Sequence, residues 1–261
     1  MEIPKEKKAL GKDRRTGTIQ SVSIATRFLK ILANADEPLP LGALSREAQT
    51  GNSSAHRYMQ SLVKEGLASQ DPVTGFYDLG PTALDLGIGA MRRIDPVDVA
   101  SRHMKLLAQY HRASGGVVMW TERGPTLVRW YRSAHFSISS LAIGDILPLD
   151  NTASGLVFQA FLPPDRIQKA RDLQPRHFRG QPPDAQTLEQ IRQTGFSELT
   201  SHLLQEVTGQ AAAVFDAQQE IACVMTTVND MRQPGRQEDG EALAKAAAEA
   251  NRETGGTWRR R

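Results

Sequence analysis

The sequence predicts an α+β chain in two parts: a small helical part closed by a β-hairpin, then a larger part in which helices flank a largely antiparallel sheet. Three observations carry this. Apolar residues between Val22 and Leu62 recur at spacings of three and four, the helical period. Around Asp71-Pro72-Val73-Thr74-Gly75, apolar and polar residues alternate on both sides of a tight bend. Beyond Pro96 the pattern becomes mixed, with strand-like runs at 117–122, 126–132, 211–215 and 221–228.

The elements follow in order. Val22, Ala25, Phe28, Leu29 and Leu32 make one apolar face of a first helix, and Leu41, Leu44 and Ala48 a short second one. Thr50-Gly51-Asn52 reads as a turn in which Gly51 supplies backbone freedom and Asn52 or Ser53 caps the next helix. The third helix turns Tyr58, Met59 and Leu62 inward and ends at Gly66. Short strands then flank the bend. Pro81 opens a connecting helix that Arg92-Arg93-Ile94-Asp95-Pro96 stops. A helix through Met104 and Tyr110 leads to two strands joined by Arg123-Gly124-Pro125, with a third around 138–143. A helix from Leu156 to Leu162, two polar helices about a Pro-rich loop at 181–183, two further strands and an alanine-rich helix near 241–251 complete the chain. We divide it into a basic arm (1–17), a winged helix-turn-helix (18–80), a linker helix (81–95), a second domain (96–252) and a basic tail (253–261).

Composition bounds the function. With 261 residues and 39% hydrophobic content, the chain can build two modest cores. Its 32 Lys and Arg against 29 Asp and Glu give only +3, so overall charge does not argue for nucleic acid. Lys5, Lys7, Lys8, Lys12, Arg14 and Arg15 crowd the start, a solvated arm that either solubilises the chain or touches phosphate. The single cysteine, Cys223, sits in an apolar run and behaves as a small hydrophobe. No stretch has the length of a membrane span or the form of a signal peptide, so a soluble, cytoplasmic protein is expected.

The third helix is polar where a DNA groove would meet it. Ser53 and Ser54 are short donors, Arg57 suits a guanine or a phosphate, Gln60 suits adenine, and His56 lies between them. Thr74 stands at the tip of the hairpin, placed to reach a neighbouring minor groove. In the second part, Ala153-Ser154-Gly155 begins a helix whose free amides favour an anionic or polar ligand. Alternation on the last strand sets either Thr226 with Val228 or Met225 with Thr227 opposite it. Trp120 and Arg129 on the first strands, with Met119 and Trp130 beside them, would complete a pocket in which arginine meets a carboxylate.

Four stretches together resemble an IclR-type transcriptional regulator. They are Ile19-Gln20-Ser21-Val22; Ser53-Ser54-Ala55-His56-Arg57 with Leu62-x-x-x-Gly66-Leu67; Asp71 through Gly80; and Leu147-Pro148-Leu149 with Thr152-Ala153-Ser154-Gly155 running into Ala160-Phe161-Leu162-Pro163. The resemblance covers about 18–250 and implies a winged helix-turn-helix, a linker helix and a GAF-like effector-binding domain. It also implies homodimers or homotetramers on near-palindromic operators in double-stranded DNA, often controlling catabolic genes for aromatic compounds or small organic acids. Asn52 stands where the family often has a basic residue. Leu199, Gly209, Thr226 and Val228 fall where members that bind small oxo-acids place an acid, a cysteine and two serines. Losing most of those polar groups favours a larger, partly apolar or aromatic effector.

Enzyme chemistry finds little support. There is no Cys-x-x-Cys, no His-x-x-x-His and no Gly-x-Ser-x-Gly, and His103 and His111 are eight residues apart. No metal, cofactor or catalytic residue is expected, and no membrane partner. The competing reading is an architectural DNA-binding protein that takes no ligand.

Overall fold

The computed structural model describes residues 19–111, 113–133, 141–200, 206–230 and 236–256. The basic arm, the last residues of the basic tail and the first half of the strand expected at 138–143 lie outside them. The chain forms two compact units, Met1–Ala90 and Met91–Arg261. Among the described residues no helix is long and apolar enough to cross a membrane.

In the first unit, α1 (Gln20–Asn34), α2 (Leu41–Glu47) and α3 (Asn52–Lys64) enclose Phe28, Leu32, Leu44, Ala55, Met59 and Leu62. Each helix contributes one stripe at helical spacing, as the sequence period required. The α2–α3 turn closes by two bonds: Thr50 N donates to Ser45 O at 3.0 Å and Ser45 Oγ to Thr50 O at 2.7 Å. Gly51 does not carry the special conformation expected of it. Its φ is an ordinary −71°, whereas Gln49 takes the left-handed one at +54°. Gly51 is itself the N-cap, and neither Asn52 nor Ser53 caps through its side chain.

Strands β1 (Ala68–Gln70) and β2 (Tyr77–Leu79) pair antiparallel across the bend, and Leu39 bridges to Tyr77 as a third rung. The Asp71 carboxylate accepts from Val73 N, Thr74 N and Thr74 Oγ1 at 2.9, 2.7 and 3.0 Å. Those bonds, Thr74 N–H foremost, hold the carboxyl below its ordinary range. Gly66 ends α3 at φ +70°, where a Cβ would come within 2.5 Å of Thr82 Oγ1 at the start of α4 (Pro81–Met91).

In the second unit, β3 (Ser114–Thr121), β4 (Gly124–Tyr131), β5 (Phe196–Thr200), β6 (Val207–Phe215) and β7 (Ile221–Asp230) form one antiparallel sheet in the order β4-β3-β7-β6-β5. Helices α5 (Pro96–Tyr110) and α9 (Arg236–Thr254) pack on one face, burying Val117, Ala212, Val214, Cys223 and Met225. Helix α6 (Ala153–Phe161) covers the other with α8 (Ala185–Thr194), burying Val118, Leu127, Ala211, Ala213 and Val224. In chain order α7 (Pro164–Leu173) comes between those two helices. Strand β5 was not read from sequence, because Phe-Ser-Glu-Leu-Thr is short and half polar. Of the strand expected at 138–143, Leu141–Ile143 is described and is not a strand; Ile146 instead bridges to Thr126. The alanine-rich helix runs on to Thr254, so Glu253 and Thr254 belong to it and not to a tail.

Gly66→Ala combines a left-handed backbone with a contact at Thr82, so it should cost about 2 kcal/mol or more. Gly51→Ala, with nothing within 4 Å of its would-be Cβ and an ordinary φ, should cost less, about 0.5–1 kcal/mol for the poorer N-cap. Urea unfolding of the two full-length variants, followed by circular dichroism, checks the contrast.

Candidate nucleic-acid interface and effector face

Helix α3 separates its residues by face. Ala55, Met59 and Leu62 are buried, and Tyr58 is half-buried with its ring 5.9 Å from that of Phe28. Asn52, Ser53, His56, Arg57 and Gln60 are exposed, and Ser54 is half-buried. The spacing of Ser53, His56, Arg57 and Gln60 puts them on one side, with Lys64 continuing the stripe. No side chain caps the helix, so its first amides are free to meet an anion. Arg57 has no ion-pair partner among the described residues.

The wing is braced against this face. Gln60 Nε2 lies 3.5 Å from Gln70 Oε1, and Gln70 Nε2 donates to Gly75 O at 3.0 Å. Thr74 is exposed, but its hydroxyl is committed to the turn, donating to Asp71 and accepting from Phe76 N at 3.3 Å. The residue that projects is Val73, 91% exposed.

The second unit gathers most of the other expected residues on the α6 face. Cross-strand register sets Val228 beside Ser114 and Gly209, and Gly209 beside Leu199. The next row along runs Trp130, Gly116, Thr226, Ala211 and Ser197. Thr226 with Val228, not Met225 with Thr227, therefore faces α6. Thr226 Oγ1 donates to Gln210 O at 2.8 Å. Trp120 packs against Phe158 of α6 in a tilted arrangement, ring centroids 5.5 Å apart. Small side chains leave room: a Cβ on Gly209 would meet only Leu199 O, at 4.0 Å.

Helix α6 starts at a polar cap. Thr152 Oγ1 accepts from Gly155 N at 3.0 Å and donates to Pro148 O at 2.7 Å. Ala153 and Ser154 are buried, and their amides have no acceptor among the described residues. Gly155 must be glycine, because a Cβ there would sit 2.2 Å from Leu149 O.

Arg129 is not where the sequence suggested. It pairs with Val117, on the α5 face, and its guanidinium lies 3.8 Å from Asp98 of α5. A β-bulge explains this: Val118 opposes Leu127 and Val117 opposes Arg129, so Val128 is an extra residue that reverses the alternation. Met119 likewise packs on the α5 side. The same bulge turns Trp130 onto the α6 face, where its buried Nε1 has no acceptor among the described residues.

Comparison with known proteins fits this two-part geometry. Residues 21–72 match the family model of the IclR helix-turn-helix domain, and residues 89–252 that of the bacterial transcriptional regulator IclR C-terminal domain. The chain belongs to the IclR family. Among curated relatives, the glycerol operon regulatory protein of Streptomyces griseus is 29% identical over 148 residues, 56% of this chain and 57% of that protein. The chain thus aligns with little more than half the length of that relative. The transcriptional repressor IclR of Escherichia coli is 22% identical over 92% of each chain. The crystal structure of Pseudomonas aeruginosa HmgR superposes with a TM-score of 0.78 at 28% identity, covering 91% of this chain and 98% of that one.

Within this IclR-type chain the sequence reading did not foresee that Arg129 lies on the α5 face, and it missed Gln159 and Arg171 as the braces of the loop before α6. A bulge leaves no composition signal, and a glutamine on a mostly apolar helix shows its role only once its partners are known. Cys223 is fully buried, its Sγ 3.8 Å from Pro96 O. Burial, then the charge of Asp95, pushes its thiol up to about 12. Cys223 should therefore resist a disulfide exchange reagent at pH 8 in the folded protein and react at once in denaturant, which absorbance at the released thiolate measures.

Proposed function

We propose that this chain is a ligand-responsive regulator that binds a near-palindromic operator through α3 and governs catabolic genes in response to a small organic, aromatic acid. The observation that carries the DNA half of this reading is the exposed polar stripe of α3 around Arg57, opposite a buried apolar stripe. Ser53 and the free first-turn amides suit phosphates, while Arg57 and Gln60 have the reach and geometry for base edges. His56, Asn52 and the wing flank that contact; Val73 rather than the Thr74 hydroxyl is the outermost wing group.

A second copy of the chain is part of this reading. Leu84, Leu86, Ile88 and Met91 of α4 are exposed, as are Ile19 and Val22 at the start of α1. So much apolar surface on short helices favours cover by a partner. A dimer matches a palindromic operator, since two heads repeat at a fixed spacing.

For the effector, the face formed by Trp120, Leu199, Gly209, Thr226 and Val228 offers apolar and small side chains. The first-turn amides of α6 and the Trp130 N–H add donors. That mixture suits a flat apolar body carrying an oxygen acceptor. The names of the similar glycerol operon regulator and of IclR from E. coli support transcriptional control of metabolism. Ligand changes operator affinity only by favouring one dimer arrangement over another.

Arg57→Ala should weaken binding to duplex fragments from upstream of the chain's own gene about tenfold or more and lower the salt dependence by about one ion. Lys169→Ala, at an exposed position in the second unit, should not. Gel retardation across a salt series measures both, and equal losses would remove α3 from the groove. Benzoate, phenylacetate, pyruvate and glycerol, tested by thermal shift, probe the effector class. Gly209→Leu should fold normally yet lose the stabilisation that an aromatic acid gives the wild type. Protein that holds its operator and ignores every compound would instead favour the architectural reading.

A further inference from the structure

We propose that Arg171, with Asp150 and Gln159, is a positioning device that holds the loop before α6 and so sets the amides of Ala153 and Ser154 in place. This rests on the reading of that helix start as the effector's seat. Arg171 Nη2 donates to Asp150 Oδ1 at 2.8 Å and to Gln159 Oε1 at 2.7 Å. Gln159 Nε2 in turn donates to Leu149 O at 2.8 Å and lies 3.3 Å from Asp150 Oδ1. One guanidinium on α7 thus joins the loop to the second turn of α6. Gln174 adds a separate clamp, accepting from Leu149 N at 3.1 Å and donating to Leu147 O at 3.0 Å.

The loop lies directly against the helix start. Gly155 approaches Leu149 O so closely that no Cβ fits between them, so a shift of Leu149 must move the first turn of α6. Positions of Leu147 to Asp150 therefore translate into positions of the Ala153 and Ser154 amides.

Stability alone does not account for the polar trio. The Asp150 side chain is 3% exposed and that of Arg171 21%, and Arg171 Nε is buried with no acceptor. Such a pair recovers little beyond its desolvation cost, and apolar groups of equal volume are often as stable. Directed hydrogen bonds give what an apolar contact lacks, a single register of loop against helix.

The triple variant Asp150→Leu, Gln159→Leu, Arg171→Met of the full chain tests this by hydrogen exchange in the absence of any ligand. Its melting temperature is expected to stay close to wild type, with exchange in the peptide spanning 147–158 at least tenfold faster and exchange in β6 unchanged. Arg171→Lys keeps the charge but its ammonium ends one bond short of where Nη2 meets both acceptors, so it should speed the same peptide with the fold intact. Wild-type exchange there in either variant overturns the proposal. So does a triple variant that unfolds wholesale while Arg171→Lys exchanges like wild type, since the trio would then be merely structural. Failure of every acid to bind the wild type would count against the effector seat and leave the exchange result standing on its own.

Discussion

Burial of both faces of the five-stranded sheet is the constraint on which the second unit depends. Each strand must satisfy two apolar layers at once, α5 and α9 on one side, α6 and α8 on the other. Its central strands therefore read as nearly continuous runs, such as Ala211-Ala212-Ala213-Val214-Phe215, in which neighbours serve opposite cores. Alternation then decides what any side chain can do. Thr226 and Val228 are available to the α6 face because Met225 and Thr227 are taken by the other. A single extra residue at Val128 is enough to send Arg129 to Asp98 and bring Trp130 round.

The first unit solves a simpler problem with the same logic. Helix α3 spends one stripe on the core shared with Phe28, Leu44 and Tyr77 and leaves the other unused by the fold. Arg27 Nη1 caps the end of α2 by donating to Ala48 O at 2.7 Å. Ser45 and Thr50 close the turn, and Gln49 accepts the left-handed backbone in place of a glycine. The wing is held from inside by the Asp71 carboxylate, which occupies Thr74 and leaves Val73 outermost. Local satisfaction of polar groups thus decides which residues remain free for a partner.

Polar groups inside the second unit sort by the same test. Thr226 gives its hydroxyl to the next strand, Gln174 serves the backbone of Leu147 and Leu149, and Arg171 serves two acceptors at once. Against that background, the amides that begin α6 and the Trp130 N–H stand out. They are donors in a protected place, where an unmet hydrogen bond costs about 1–3 kcal/mol.

The sequence by itself determined the stripe of α3, the hairpin at Asp71–Gly75 and the order of most elements, while the family resemblance, not a register, singled out Leu199, Gly209, Thr226 and Val228 together. The stripe, the hairpin and the order rest on local periods and turn chemistry, which a linear chain carries in full. Only the tertiary structure decided that Gln49 rather than Gly51 bears the left-handed turn, that Phe196–Thr200 is the fifth strand, and that Arg129 leaves the α6 face while Trp130 stays on it. The reason is physical: a bulge, an edge strand and a buried guanidinium are fixed by partners far along the chain, and nothing in the neighbouring residues announces them.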